Sequence, residues 1–196
     1  MAIEDRRLRD RAARRQLIIA TARALAEREG WDAVTTRRLS TEIEYSQPVI
    51  YKHFASMEDL VDAIALEGFS ELAEAVDDAR RRAATNNEVG AVARAYYTFA
   101  LQNPALYDAM FNRATRLRFG QGGSAAPLSA TFTAVSAAIA TISGDRDVET
   151  LTEVLWAALH GLITLRRNNR VRPGHDTDRL ELLIAQFHAP TPQMPG

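Results

Sequence analysis

The 196-residue sequence contains no cysteine. Disulfide bridges, zinc sites built on thiolates and cysteine nucleophiles are therefore excluded. A chain without cysteine suits a reducing compartment. The first 15 residues are also too rich in charge to hold the apolar run of a secretory signal. We therefore expect a cytoplasmic protein.

Long apolar segments are also scarce. The one charge-free run of sufficient length, Phe119 to Gly144, is interrupted by three glycines and by Pro127. Its other residues are mainly Ala, Ser and Thr, so it is a poor candidate for a bilayer-spanning helix. We expect no membrane partner. A hydrophobic content of 46% with 25% charged residues instead predicts a soluble globular protein with a substantial core.

The net charge is small, −1 at pH 7, but it is unevenly distributed. Residues 1–54 carry ten Arg and one Lys against eight acidic residues, whereas residues 55–196 carry thirteen Arg against seventeen acidic residues. Six of the first ten Arg lie within residues 6–15, beside Asp10. Such a cluster attracts phosphate groups, and an acidic remainder keeps a protein soluble. The cluster is either a contact for nucleic acid or the solvated start of a helix without a partner.

A segment near the start of the chain predicts two short helices joined by a tight turn. In the first helix Thr35 is suited to the N-cap, and Leu39 and Ile43, four residues apart, form the buried side. A short break is expected at Glu44-Tyr45, where the helical spacing of apolar residues stops.

The second helix of this pair begins at Ser46, another N-cap residue, and has Pro48 in its first turn, where a missing N–H is tolerated. Its buried residues are Ile50 and Phe54, again four apart. The opposite side carries polar and aromatic side chains. This arrangement predicts a helix-turn-helix, which places its second helix in the major groove of DNA.

The rest of the chain predicts further helices, with no strand pattern, repeat or heptad run. Residues 1–10 are expected to form a flexible basic arm before a helix that ends at Gly30. Asn103 is expected as an N-cap, with Pro104 at the first helical position. The later helices are predicted from Ser56 to about Ala84 and over 88–102, 104–119, 127–142, 147–168 and 176–188.

We therefore predict an all-α protein of about nine helices in two domains. Residues 1–55 form a three-helix head with the helix-turn-helix, and residues 56–196 form a larger helical bundle. The last two long helices carry apolar faces that would make a four-helix interface in a homodimer. Which face meets the partner and which meets an internal pocket is left open. The faces hold Leu151, Leu155, Leu159, Leu162 and Leu180, Leu183, Ile184, Phe187.

Patterns for catalysis and for metal binding are missing. None of the four histidines is spaced as a pair of metal ligands, and no nucleophile-elbow, P-loop or dinucleotide motif is present. We expect no metal, no cofactor and no enzymatic activity. His160, one turn after Trp156, has two interpretations: a core histidine bonded to a carbonyl, or a polar anchor in a ligand pocket.

The stretches Thr35–Leu39 and Ser46–Phe54, continued by Ser56–Leu60, resemble the DNA-binding segment of the TetR family of transcriptional regulators. The resemblance implies double-stranded operator DNA as a partner. Gln47 is the expected base reader, because its amide pairs with base edges, and Val49 suits a thymine methyl. The implied DNA contacts are Thr36, Arg37, Ser46, Gln47, Pro48, Val49, Tyr51, Lys52 and His53.

Two positions depart from the pattern of that family. Glu44 stands where the family usually has a turn glycine, so a less ideal turn is expected. Met57 stands where the family usually has a lysine at the start of the fourth helix, so one phosphate contact is absent.

The second half has a resemblance of its own. Residues 97–107 and the Trp-Ala-Ala-Leu-His-Gly run at 156–161 resemble the Trp-His-Gly type of TetR C-terminal domain. The resemblance implies a dimer interface and a pocket for a small, mainly apolar effector, with Arg113 or Arg116 at its mouth for an anionic group. The implied lining is Tyr96, Phe99, Met110, Phe111, Phe132, Trp156 and His160.

The sequence thus favours a homodimeric DNA-binding regulator, and within that class a repressor of a palindromic operator that loses affinity when an effector binds. Two alternatives stay open: a helical small-molecule-binding protein without DNA function, and a regulator that acts as an activator. A third, an all-α enzyme, lacks a convincing nucleophile–base pair.

Overall fold

A computed structural model describes residues 2–84, 86–114, 117 and 126–188 of the chain. Within these residues the fold has nine α-helices and no strand, which confirms the predicted all-α class. A 3₁₀ turn lies at Trp31–Ala33 and a π-helical turn at Ala109–Arg113. The helices are α1 (Ala2–Glu29), α2 (Thr36–Glu42), α3 (Gln47–Tyr51), α4 (Met57–Arg82), α5 (Glu88–Gln102), α6 (Pro104–Asp108), α7 (Ala126–Ala140), α8 (Val148–Arg167) and α9 (Asp176–His188).

The contacts divide the chain into two compact units, and the division falls within α4. The first unit comprises Met1–Phe69 and Asn103–Ala125, and the second unit comprises Ser70–Gln102 and Ala126–Gly196. The first half of α4 and the whole of α6 are thus grouped with the helix-turn-helix. A domain boundary at residue 55 assigns both to the C-terminal part instead.

Helix α1 begins at Ala2, so the expectation of a flexible arm before the first helix is wrong for residues 2–10. No glycine or proline interrupts residues 2–29, and the Arg, Ala, Leu and Glu that dominate this stretch are strong helix formers. Glu4 and Asp5 lie in the first turn, where negative charge interacts favourably with the helix dipole. The basic cluster is therefore displayed on a helix.

The core of the first unit lies where α1 packs on α2 and α2 packs on α3. The helical spacing of apolar residues in α1 predicts that Leu17 is buried with Ile18, Ala22, Leu25 and Ala26. Leu17 is instead 43% exposed, and Ile19 is buried. The other positions follow the predicted spacing. The buried residues of this core include Ile18, Ala22, Leu25 and Ala26 of α1 together with Leu39, Ile43, Ile50 and Phe54.

Helix α6 is fastened to the end of α1 by hydrogen bonds. The carboxylate of Glu27 accepts from the backbone N–H of Ala105 at 3.0 Å and of Leu106 at 2.9 Å. The indole Nε1 of Trp31 donates to the carbonyl oxygen of Ala105 at 2.9 Å. Asn103 holds the N-cap position as predicted, but its side chain makes no capping bond. Glu27, which is distant in sequence, therefore satisfies the first N–H groups of α6.

The helix predicted over 104–119 ends earlier. After α6 the chain makes the π-helical turn, closed by a 2.9 Å bond from the N–H of Ala114 to the carbonyl oxygen of Ala109. The backbone of Ala114 is no longer helical, with ψ of 62°. Arg116, Phe119 and the predicted loop at 120–124 lie outside the described residues.

Within the first unit α4 and α6 approach closely at Gly68. A Cβ atom added there would lie 2.7 Å from Sδ of Met110 and 2.8 Å from Cδ1 of Leu106, so only a glycine permits this approach. Next to it, the ring of Phe69 meets that of Phe111 edge to face, with centroids 5.3 Å apart. The contact joins the first half of α4 to the π-helical turn.

The second unit packs α5 against α7, α8 and α9. The predicted bounds of these four helices are confirmed to within two residues. Arg94 of α5 makes two hydrogen bonds to the carboxylate of Glu181 of α9, at 2.7 and 2.6 Å. These bonds lower the pKa of Glu181. The pair ties α9 to α5.

Helix α8 has two apolar sides. The first lies inside the second unit, because Leu155, Leu159 and Ile163 are buried. The other faces out, with Val154 at 52% and Leu165 at 42% exposure. This second side explains why α8 is, among the described helices, the one long and apolar enough to cross a membrane by length and composition. That property is weak evidence of a span, since core helices of soluble proteins share it.

The turn between α2 and α3 contains Glu44 in left-handed geometry, with φ of 55°. The N–H of Tyr45 donates to the carbonyl oxygen of Ser40 at 3.0 Å, and that of Glu44 to Thr41 at 3.4 Å. This is the Schellman pattern of helix ends, in which glycine normally holds the left-handed position. The expected unfavourable turn residue is therefore confirmed.

We predict that Glu44→Gly raises the free energy of unfolding by about 0.5–1 kcal/mol, because relief of left-handed strain exceeds the added entropy of the unfolded chain. Glu44→Ala is the matched control, since it removes the same carboxylate but keeps a Cβ. Urea unfolding followed by circular dichroism measures both. Equal free energies of unfolding for the two variants would contradict backbone strain at position 44.

Candidate nucleic-acid interface

Helix α2 begins at a side-chain cap. The Oγ1 atom of Thr35 accepts from the backbone N–H of Arg38 at 3.1 Å, as predicted for an N-cap. Ser46 holds the N-cap position of α3 without a side-chain bond, and Pro48 lies in the first turn. The next helix, α4, starts with a reciprocal cap between Ser56 and Asp59, each donating a backbone N–H to the other's side chain at 3.1 Å.

The short helix α3 presents its predicted contact residues to solvent. Gln47, at its start, is exposed, and Tyr51, at its end, is 53% exposed. Ile50 and Phe54 hold the opposite side in the core. Of the predicted DNA contacts, Arg37, Ser46, Gln47, Pro48, Tyr51 and Lys52 are exposed, while Thr36, Val49 and His53 are half-buried.

A chain of three side chains joins the starts of α2 and α4 to α3. The hydroxyls of Thr36 and Tyr51 lie 3.3 Å apart, and the Thr36 hydroxyl also donates to Sδ of Met57 at 3.6 Å. Since Thr36 has one proton to give, the Tyr51 hydroxyl is the donor between the two. Met57, which replaces the family's usual lysine, thus serves as an acceptor that orients Thr36.

The two arginines at the start of α2 have different surroundings. Arg38 forms ion pairs with Glu29 at 3.2 Å and with Glu42 at 2.9 Å, in a network that Arg28 completes. The charge of Arg38 is therefore neutralised by carboxylates of the protein itself. Arg37 is exposed, and no ion pair within the described residues engages its guanidinium, so it is available to an anion.

The end of α3 lies close to the charges of α1. The guanidinium carbon of Arg15 lies 4.4 Å from the centre of the Phe54 ring, a cation–π contact. Burial, followed by the nearby charges of Arg11 and Arg14 and then of Arg15, lowers the pKa of His53. His53 is therefore neutral at pH 7. Sequence reasoning did not connect α1 with this histidine, although the spacing of Arg7, Arg11 and Arg14 is helical.

The predicted effector-site residues fall into both units. In the second unit Tyr96 and Phe99 are buried, and the rings of Phe132 and Trp156 lie 5.9 Å apart. In the first unit Met110 is buried, and the Phe111 ring lies 4.5 Å from that of Tyr107. The lining itself stays a prediction.

Two polar residues of that prediction have observed partners. Nε2 of His160 lies 3.4 Å from the hydroxyl of Thr164, and burial, followed by the charge of Arg167, lowers the pKa of His160. Arg113 donates to the carboxylate of Asp108 at 2.6 Å. Across the described ranges no group of three or more His, Asp or Glu side chains is placed to hold a metal ion.

Two parts of the chain match known protein families. Residues 18–64 match the family described as bacterial regulatory proteins, tetR family. Residues 89–187 match the tetracyclin repressor-like, C-terminal domain. The finer Trp-His-Gly type of that domain stays a prediction.

Relatives and solved structures agree with these matches. The HTH-type transcriptional regulator Rv0681 of Mycobacterium tuberculosis is 30% identical over 84% of this chain and 74% of its own. A protein of unknown function from Rhodococcus sp. RHA1 has a TM-score of 0.71 at 23% identity, covering 89% of this chain and 93% of its own. BioQ, crystallised with its natural double-stranded DNA operator, has a TM-score of 0.61 at 19% identity, covering 88% and 96%.

The two family matches together span the helix-turn-helix and most of the helices that follow it. This chain therefore belongs to the TetR family of transcriptional regulators and carries that family's DNA-binding domain.

Proposed function

We propose that the protein is a homodimeric repressor that binds a palindromic operator and releases it when a small, mainly apolar effector binds. The observation that carries the DNA part is the exposed row of contact residues on α3, held over the buried Ile50 and Phe54. The alternative of a helical binding protein without DNA function does not fit the family. An activator would use the same surface, and in vitro transcription from the operator distinguishes the two.

Base reading is assigned to the start of α3. Gln47 is exposed at the first helical position, and its amide can donate and accept at once, which suits the N6 and N7 atoms of adenine. Val49 is half-buried, so its exposed methyl suits a thymine methyl rather than a polar edge. Ser46 precedes Gln47 and Pro48 lies between Gln47 and Val49, so both residues are assigned to the same groove.

Phosphate contacts are assigned to the residues around this row. Arg37 and Lys52 supply charge, and the exposed Tyr51 supplies a hydroxyl whose proton goes to a phosphate oxygen on DNA binding instead of to Thr36. Contacts of this kind fix the register of the helix on the duplex and do not depend on sequence. His53, neutral at pH 7, supplies a hydrogen bond without a charge.

The dimer is assigned to the outward side of α8. Val154, Ala158, Gly161 and Leu165 recur at intervals of four, three and four residues, so they line one side of the helix. A Cβ added at Gly161 would meet no atom within 4 Å, which leaves space for a close helix approach from outside the chain. Leu182 of α9 adds an apolar side chain that is 63% exposed.

This assignment differs from the faces proposed on sequence alone. Leu155, Leu159, Leu180, Ile184 and Phe187 are buried within the second unit itself. They are committed to the core of one chain, because a side chain packed there has no surface left for a partner. The interface we propose is the opposite side of α8, continued by the exposed edge of α9.

The effector is assigned to the second unit, in which Phe132 and Trp156 are half-buried and close together. His160 lies one turn after Trp156 on the same side of α8, and burial lowers its pKa. Two aromatic rings with one uncharged polar group suit an uncharged, mainly apolar molecule with one or two polar atoms. A family of soluble regulators that bind DNA also supports our assignment of the protein to the cytoplasm.

We predict that Gln47→Ala weakens operator binding by about 1–3 kcal/mol and relaxes the preference at one base pair, because the alanine cannot form the bidentate hydrogen bonds to that base. Fluorescence anisotropy with an operator selected from random duplexes, and with its single-base variants, measures both effects. Gln186→Ala, on an exposed side of α9, is the matched control. Base reading by Gln47 is rejected if its removal leaves operator and random DNA bound as before.

We predict that Leu165→Arg converts the dimer to monomer, because it buries an unpaired charge at the interface. Light scattering at a fixed protein concentration should give the 21.7 kDa of one chain rather than twice that mass. Leu17→Arg is the control, since Leu17 of α1 is 43% exposed, close to the 42% of Leu165. A Leu165→Arg variant that stays dimeric contradicts the interface.

We predict that Trp156→Ala weakens binding of the uncharged, apolar dye Nile red about tenfold, which corresponds to the removal of one aromatic ring worth about 1.4 kcal/mol. Trp31→Ala removes the chain's other tryptophan, in the first unit, and should leave dye affinity unchanged. Dye fluorescence titration of both variants is the measurement. If both bind the dye as the parent does, the site does not include Trp156.

A further inference from the structure

An open cleft of about 480 Å³ lies between the first half of α1 and the end of α3. Its wall combines two short stretches of sequence that are some forty residues apart. The α1 side of this cleft lies outside the helix-turn-helix segment that resembles the TetR family. It also lies outside the base-reading residues of α3. The residues that line it are Arg7, Asp10, Arg11, Arg14, Lys52 and His53.

The cleft is strongly basic. Four basic side chains, Arg7, Arg11, Arg14 and Lys52, face a single carboxylate, that of Asp10. Within the described part of the chain, none of the four cations forms an ion pair. Four like charges around one space repel one another. An anion in the cleft would remove that repulsion.

The backbone explains why these charges meet. On a helix, positions 7, 10, 11 and 14 lie on one side, because they are separated by three or four residues. The cation–π contact between Arg15 and Phe54 fixes that side against the end of α3, where Lys52 and His53 follow directly. The cleft is therefore a product of tertiary packing.

His53 reports the same electrostatic environment. Its Nδ1 atom is buried and has no hydrogen-bond partner within the described residues. Burial and then the charges of Arg11, Arg14 and Arg15 from α1 keep the ring neutral. The charged groups that face it are those three arginines with Arg7 and Asp10 on α1, and Lys52 beside it.

We propose that this cleft binds successive backbone phosphates of one DNA strand, as a site separate from the base-reading row of α3. The proposal rests on the DNA-binding function proposed above. Arginine side chains offer paired N–H donors that match phosphate oxygens, and the cleft supplies three of them. Residues 7 and 14 are about 10 Å apart along the helix axis. Neighbouring phosphates of a strand are separated by more than their axial rise of about 3.4 Å, because the backbone winds around the duplex axis. Two neighbouring phosphates therefore fit along the cleft.

The test compares two double variants of equal charge. Arg11→Gln/Arg14→Gln removes two cations from the cleft, and Arg6→Gln/Arg9→Gln removes two exposed cations of α1 that do not line it. The slope of log affinity against log salt should fall by about 3.6 for the cleft variant, because the dimer loses two cations in each protomer and each phosphate that is no longer neutralised lowers the slope by about 0.9. Operator and random duplexes should weaken by the same factor. The control should change the slope by less than half as much.

Equal slopes and equal affinities for the two double variants overturn the proposal that the cleft binds DNA phosphates. The DNA-binding function itself stands if the parent protein still binds its operator. A parent that binds no DNA overturns both. Arg11→Lys/Arg14→Lys, which keeps the charge, should retain most of the parent slope, and circular dichroism confirms that each variant is folded. A Lys pair with the slope of the Gln pair also contradicts a charge-based contact.

A second arm separates DNA phosphates from a free anion. Sodium phosphate is compared with sodium chloride at equal ionic strength, and the thermal midpoint of the parent is measured in each. A phosphate-specific rise that Arg11→Gln/Arg14→Gln abolishes, combined with unchanged DNA slopes, would assign the cleft to a free anion and overturn the DNA proposal. A slope change as expected, with or without that rise, supports the DNA backbone as the occupant.

Discussion

The anchoring of α3 is the constraint on which the candidate interface depends. A helix of five residues is far too short to be stable by itself, because nucleation costs more than its few hydrogen bonds return. It persists because Ile50 and Phe54 are almost fully buried against the core of the first unit. Burying two such side chains contributes about 3–6 kcal/mol. The position of every exposed side chain on α3 follows from these two contacts.

The residues that anchor α3 could be predicted from the sequence. Spacing of four residues identified Leu39, Ile43, Ile50 and Phe54 as the buried set, and the structure buries all four. Local rules also predicted the cap at Thr35 and a helix start at Ser56, and at both positions the side chain accepts from the backbone N–H three residues on. These features depend only on residues that are close together in the sequence. They can therefore be predicted from one sequence alone.

What the sequence could not predict depends on neighbours in space. The N-terminus of α6 is capped by Glu27, seventy-eight residues before Ala105, rather than by the side chain of Asn103. On α8 two apolar sides compete, and helical spacing cannot say which one the chain covers itself. The arginines of α1 likewise gained a context only when the packing of Arg15 on Phe54 set them beside α3.

The single lysine of the chain has a practical consequence. Lys52 is the sole lysine among 196 residues, and its exposed amine lies at the rim of the basic cleft. An amine-selective reagent has therefore one side chain to modify, apart from the terminal amine. A fluorophore or crosslinker attached in this way would mark one known point on the surface, and competition for that amine would report when the surface is covered.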